Sequence, residues 1–330
     1  MQDFEWANAK SVDDAVRLLG TPAADFDDTN RPIGGGQDLH TTMKAYIQRP
    51  SRVVNLKAIQ DFGRIASTDS RITFGAAATL TEIAEHADVI KSLPGLVTAI
   101  ETVASPQIRN MGTIGGNLGQ RPRCWYFRSE SVTCLKRGGD ACFAKEGENK
   151  FHAIFATESP CVITQPSDPA QMLIALGATV IAVGPKGKRE IPAGEFFRLP
   201  TKEDVKHENV LSADEIITQI VVPISPLAAK STYIKFKERS SLDFAMASVA
   251  AAVDVSGGTI KSARVVLGGV APIPWQLPKV DEFLAGKPLN EETAVKAAEL
   301  AVADARPLSQ NGYKVPLVKT LVKRALLKLA

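Results

Sequence analysis

All four cysteines of this chain, Cys124, Cys134, Cys142 and Cys161, fall in one stretch. Four thiols grouped in this way can form two disulfides in an oxidising compartment, hold a metal, or be buried without chemistry. The close Cys-x-x-Cys pairs usual in a four-cysteine zinc site are absent. An iron–sulfur cluster needs four thiolates and tolerates varied spacing. Spacing alone leaves all of these readings open. Arg121, Arg123, Lys136 and Arg137 flank the cysteines. They serve either solubility or compensation of a negative cluster, which would raise its potential. His152 lies in the same stretch and, with four cysteines available, reads as a surface or supporting residue rather than a ligand.

Two glycine-rich loops are the other chemistry-bearing features. The first is Ile33-Gly34-Gly35-Gly36-Gln37-Asp38-Leu39. Residues without Cβ let the backbone approach a ligand and adopt positive φ, and successive amide groups can then cradle a pyrophosphate. The Rossmann spacing would need a sixth-position glycine where Leu39 stands, and no Walker A sequence is present. The second loop, Ser105 to Asn117, carries Gly112, Gly115 and Gly116 with Thr113 and Asn117 as hydrogen-bonding side chains. Either loop alone is equally a tight structural turn. Together they favour a dinucleotide held by something other than a Rossmann fold.

The remaining residues exclude several functions. His40, His86, His152 and His207 are scattered and form no HExxH motif. No Ser–His–Asp or paired-carboxylate arrangement is visible, so no catalytic residue is assigned. The net charge of +3 and the lack of a dense Lys/Arg tract argue against nucleic acid. No apolar run approaches the ~20 residues of a membrane span, and Met1 to Trp6 does not read as an export signal. A soluble chain is expected, cytoplasmic, or periplasmic if a partner carries it across already folded.

The elements that must position these residues follow from periodicity and caps. Ser11 caps a helix that Gly20 stops, a helical pattern follows the first loop through Met43 and Tyr46, and Val53 to Leu56 is a buried strand. Residues 1–57 thus form a small α/β unit. Residues 58–224 mix short strands and helices, with a strand at Arg71 to Ala76, a helix from Leu80 with Thr81 as its cap, a helix at Ala170 to Leu176 and a strand at Ala178 to Val183. The cysteine insert occupies about 120–165. Pro223 and Pro226 mark a boundary. Residues 225–330 run as strands (Thr232 to Phe236, Ala245 to Val255, Ile260 to Leu267) followed by helices, including an amphipathic C-terminal helix whose basic face, Lys319, Lys323, Arg324 and Lys328, meets solvent.

The two loops resemble the paired FAD motifs of the xanthine dehydrogenase and carbon monoxide dehydrogenase flavoproteins. The phrase Gln107-Ile108-Arg109-Asn110 followed by Gly112-Thr113-Ile114-Gly115-Gly116-Asn117 is highly specific for that group. The likeness continues through Pro166 to Ala170, Leu211 to Ile217, and Lys235 with Asp243 and Ala245. It implies an α+β chain: a two-subdomain FAD-binding fold of the vanillyl-alcohol-oxidase type and a C-terminal domain of the CO-dehydrogenase flavoprotein type. It implies that Arg31, Pro32, Ile33, Gly34, Gly35, Gly36, Gln37, Asp38 and Leu39, with Thr113, Ile114, Gly115, Gly116 and Asn117, wrap the pyrophosphate and ribityl chain. Asp168, Leu211 and Lys235 are then expected near the flavin ring or its phosphates, although Asp168 also suits a helix cap and Lys235 a solvated strand position.

Most relatives with these loops lack the cysteine insert. A subgroup that includes 4-hydroxybenzoyl-CoA reductase and the bacterial periplasmic aldehyde oxidoreductases has four cysteines here, binding a [4Fe–4S] cluster. Gln120 to Phe127, Glu146-Gly147 and His152-Ala153 resemble the aldehyde oxidoreductase branch, which implies that Cys124, Cys134, Cys142 and Cys161 hold that cluster. Such a chain passes electrons from the [2Fe–2S] centres of a small subunit, in a complex with a large molybdopterin-binding subunit, through FAD to an external acceptor. The competing readings are a free-standing FAD-dependent alcohol or sugar oxidase and a zinc-stapled binding module without catalysis.

Overall fold

The computed structural model describes all 330 residues and contains three sheets. The first is parallel, in the order β1 (Glu5–Asn8), β3 (Arg52–Asn55), β2 (Arg31–Ile33). Its helix, Val12–Leu19, begins as expected: Ser11 Oγ accepts from the Asp14 N–H, and Gly20 ends it at φ 66°. That positive φ is the conformation glycine adopts without strain. The helix after the first glycine loop runs only over Leu39–Lys44, and Tyr46 turns the chain at φ 50°.

The second sheet is antiparallel, in the order β4 (Ile65–Ser67), β5 (Arg71–Gly75), β8 (Ile216–Pro223), β6 (Thr179–Gly184), β7 (Gly187–Pro192). Pairing of β5 with β8 closes the chain around everything between residues 75 and 216, the cysteine insert included. The helix Leu80–Glu85 corrects one expectation. Its cap is Thr79, in a reciprocal capping box with Glu82. Thr81 lies inside the helix and donates to Asn110 Oδ1 at 2.6 Å, tying this helix to the second glycine loop.

The third sheet, in the order β12 (Trp275–Gln276), β11 (Thr259–Gly268), β10 (Ala247–Ser256), β9 (Ser231–Phe236), is antiparallel and covered on both faces. Residues 247–253 are all buried for that reason: Ala250 and Ala252 face the main core, while Val249, Ala251 and Val253 face a second core. A strand enclosed on both sides reads as a continuous apolar run, as this one does. The second core is completed by the helices Pro278–Leu284, Glu291–Leu300 and Lys314–Lys328. The last buries Val318, Leu321, Val322, Ala325 and Leu326 and exposes Lys319, Arg324 and Lys328, the amphipathic division the sequence implies. No helix is long and apolar enough to cross a membrane.

Candidate functional site

A cavity of about 500 Å³ opens where the first sheet, the helices that follow β5 and the end of β9 meet. Both glycine loops form its wall, and they do so by packing on each other. A Cβ on Gly34 would lie 2.5 Å from Thr113 Oγ1, and one on Gly35 would lie 1.8 Å from the Met111 carbonyl oxygen. Gly36 adopts φ 69°. The glycines are therefore required first for loop-to-loop contact, and through it for a backbone-lined cleft. Thr113 caps the short helix Ile114–Leu118 by accepting from the Gly116 N–H at 3.2 Å. Residues Arg31 to Leu39, Thr113, Gly115, Gly116, Asn117, Asp168, Leu211 and Lys235 all line the cavity. Ile114 does not: its side chain is fully buried in the main core, where it anchors the helix turn that carries Gly115 and Gly116.

At one end of the cavity is a buried polar triad. Asp168 accepts from the Tyr233 hydroxyl at 2.7 Å and from Lys235 Nζ at 2.7 Å, and Lys235 also donates to the Thr102 carbonyl at 3.1 Å. The cap of the helix Asp168–Ala175 is Ser167, whose Oγ accepts from the Ala170 N–H. The same hydroxyl donates to Asn117 Oδ1, so the cap also fixes the second glycine loop. Asp168 is thus the residue after the cap, and Lys235 is a buried strand lysine with 2% of its side chain exposed. Burial pushes the Asp168 carboxyl above its ordinary range against the pull of Lys235. Tyr233 is pushed well up by burial and by Asp168, so its hydroxyl stays a proton donor.

The cavity is also lined by charges that the motif reading did not assign to it, Arg121, Arg123 and Glu208. Asp38 ends the first glycine loop, but its carboxylate is engaged by the cysteine insert: it accepts from the Arg121 N–H at 2.7 Å and Arg128 Nη2 at 2.8 Å, and it pairs with Arg123. Burial alone would raise its pKa, yet Arg123 and Arg128 hold it below the ordinary value. Arg121 is fully buried, with Asp27 at 3.1 Å and Glu208 at 3.0 Å. It lies over the Phe26 and Phe127 rings, and Arg31 also lies over the Phe26 ring, 4.0 Å from its centroid. The Nε atoms of Arg31 and Arg123 are buried without a partner. Two unpaired guanidinium donors and a glycine cradle on one cleft fit an anionic dinucleotide such as FAD. Asp27, Glu208 and Phe26 carry no motif, and only their neighbours' charge pattern hints at them.

The four cysteines meet at a second, small apolar cavity beside the first. All four are free, so the disulfide reading is not what the fold builds. Cys134 and Cys161 are buried and Cys124 and Cys142 partly so. Burial pushes the Cys124 thiol up to about 11. Cys142 and Cys161 titrate as a pair: the hydrogen bond between them draws Cys142 down to about 6 and Cys161 up. No three His, Cys, Asp or Glu side chains converge closely enough to surround a single metal ion. His152 is not a surface residue. It is buried, with Nε2 3.2 Å from Cys124 Sγ, and burial together with Lys314 draws it down to about 4, leaving it neutral.

The insert is held from far away in the chain. Lys314 is wholly buried and donates to the carbonyls of Phe151 (3.0 Å), His152 (3.0 Å) and Gly269 (2.7 Å). Asn311 donates to the carbonyls of His152 and Ala153, and Asn149 exchanges hydrogen bonds with Gln310.

Residues 2–225 match the family model for the FAD binding domain in molybdopterin dehydrogenase, and residues 231–329 match the CO dehydrogenase flavoprotein C-terminal domain. The chain is 34% identical to the FAD-binding subunit of an aldehyde oxidoreductase of Escherichia coli over 309 residues, covering 92% of this chain and 91% of that one. It is 26% identical to the glyceraldehyde dehydrogenase medium chain of Sulfolobus acidocaldarius, covering 99% of each. Among solved structures, carbon monoxide dehydrogenase from Hydrogenophaga pseudoflava superposes with a TM-score of 0.76 at 27% identity, over 98% of this chain and 96% of that one. With both halves of the chain matched and the glycine loops joined on one cleft, this protein belongs to the FAD-binding medium subunits of the molybdenum hydroxylase family of oxidoreductases.

Proposed function

We propose that this chain is the FAD- and [4Fe–4S]-binding electron-transfer subunit of a molybdenum-containing aldehyde oxidoreductase. It would work with a large molybdopterin-binding subunit and a small [2Fe–2S] subunit, and deliver electrons to an external acceptor. The observation that carries the reading is the convergence of four scattered cysteines on one apolar cavity next to the glycine-loop cleft. All four thiols line that one cavity, and four thiolates are the ligand set that a [4Fe–4S] cluster needs. The aldehyde oxidoreductase relative supports the choice of substrate class. Export with a signal-bearing partner would make the chain periplasmic.

FAD when bound supplies an exchange point between one-electron centres and a final acceptor. The residues of this chain orient it. The backbone of Gly34 to Gly36 and of Thr113 to Asn117 would hold the pyrophosphate and ribityl chain, with Arg31 and Arg123 as charged donors. Asp168, Lys235 and Leu211 would border the ring. Tyr233 and Lys235 keep the Asp168 carboxyl fixed, so a hydrogen-bonding partner faces the ligand without reorganising. The domain division at about residues 57 and 224 is part of the same proposal.

The test is the flavin, iron, acid-labile sulfide and zinc content of this subunit, separated from an anaerobically purified complex. About one FAD with four iron and four sulfide per chain is the expected result, from the four-thiolate stoichiometry of a [4Fe–4S] cluster. Zinc, or no metal, in place of iron refutes the cluster while leaving the flavoprotein assignment standing.

A further inference from the structure

Lys136 is the one charged side chain on the wall of the cysteine cavity. It follows Cys134 in the helical turn Leu135–Arg137, and its stem is 1% exposed. Its ammonium reaches the segment of residues 205–208. It pairs with Glu208 at 2.8 Å and donates to the carbonyls of Val205 and Lys206. Glu208 lines the large cavity, as do His207, Asn209 and Leu211 of the same segment. One lysine therefore spans the partition: its stem walls one cavity and its head fixes a wall of the other.

The link is stiff because neither end can let go cheaply. A buried ammonium stripped of its partners costs several kcal/mol, so displacement of the turn at Cys134 must drag Glu208 and residues 205–206 with it. Glu208 in turn cannot follow freely, because it also pairs with Arg121, which is locked to Asp27. Burial would raise the Glu208 pKa, but Arg121 and Lys136 hold it low, so the bridge stays charged.

We propose that Lys136 is a positioning residue that couples the two cavities, so that filling the cysteine cavity tightens dinucleotide binding in the large one, and the reverse. The proposal rests on the cluster reading above. Fixing the four cysteines fixes the turn that carries Lys136, and with it the segment that walls the large cavity. The dinucleotide then meets a wall already ordered and loses less entropy on binding. The coupling must be reciprocal, because it is a free energy shared by two binding equilibria.

The experiment uses the intact complex and follows flavin release by fluorescence, before and after anaerobic iron chelation, with iron and sulfide measured first. Chelation is expected to accelerate flavin release by at least about fivefold, the lower range of such couplings. In Lys136→Met and, cutting the link from the other side, Glu208→Gln, release is expected to be fast from the start and insensitive to chelation. Lys136→Arg is expected to restore sensitivity. A wild-type complex that contains iron but releases flavin at the same rate after chelation overturns the coupling and leaves the cluster reading intact. So does undiminished acceleration in either variant. Fresh complex without iron or sulfide overturns the cluster reading, and the coupling falls with it. If Lys136→Met does not fold, the wild-type and Glu208→Gln measurements decide.

Discussion

The large cavity and the cysteine cavity are linked by the Lys136–Glu208 pair yet are built in opposite ways. The large one is shaped by backbone: Gly34 and Gly35 press against Met111 to Thr113, and the short helices beyond are capped within a few residues. The cysteine cavity is shaped by side chains whose supports come from distant parts of the chain, Lys314 and Asn311 on one side and Glu208 on the other. A backbone-built cleft is encoded locally and survives as a motif. A cavity held by remote side chains has no local signature beyond its cysteines.

The sharpest way to break this comparison is Lys314→Met. It orphans the carbonyls of Phe151 and Gly269, while that of His152 keeps Asn311 as a donor; at roughly 1–3 kcal/mol for each orphan, a total loss of about 4 kcal/mol in denaturant unfolding is expected. The cysteines should also react faster with a thiol reagent. Unchanged thiol reactivity would mean that the insert holds its own shape. Gly35→Ala probes the other cavity. The new Cβ meets the Met111 carbonyl oxygen at 1.8 Å, so the loops must part. About 1–3 kcal/mol of overpacking strain is expected, with flavin lost and thiol reactivity unchanged; a flavin-replete Gly35→Ala protein would show that loop contact does not shape the cleft.

Asp281→Asn, in the second core and in neither cavity, gives the smallest effect. Burial raises the Asp281 carboxyl from 3.8 to about 7, while Oδ1 accepts from the Val265 N–H. A pKa raised in the folded state means that its contribution is complete below about 3.8 and is lost as pH rises through about 7. The asparagine keeps an acceptor and removes the titration. Thermal midpoints of the variant should therefore exceed those of the parent above about pH 7 and converge with them in acid, with flavin and thiol reactivity unaffected. Parallel curves for parent and variant would assign the pH dependence elsewhere.

The same contrast explains what the sequence could reveal. The cap at Ser11, the stop at Gly20 and the strands β9, β10 and β11 of the third sheet are legible because each is decided within a few neighbours, whereas the two-residue β12 carries no such pattern. The glycine loops were legible as a cleft, but Ile114 was not separable from them, because which side of a helical turn meets the core depends on packing. Thr79 and Thr81 are both threonines near the helix start, and Glu82, three residues after Thr79, is what singles out Thr79 as the cap. The arginines beside the cysteines read as surface or counter-charge. Arg121 and Lys136 proved buried, with partners from residues 27 and 208 that no local pattern couples to them.

The anchoring of the insert by Asn311 and Lys314 has a consequence for biosynthesis. A chain emerging from the ribosome N-terminus first presents all four cysteines long before residues 311–314 exist to clasp residues 151–153. The cysteine cavity can then be finished only near the end of translation, so its final shape belongs to the completed chain. A nascent chain stalled before Gln310 should leave its cysteines open to a thiol reagent, and the completed chain should protect them.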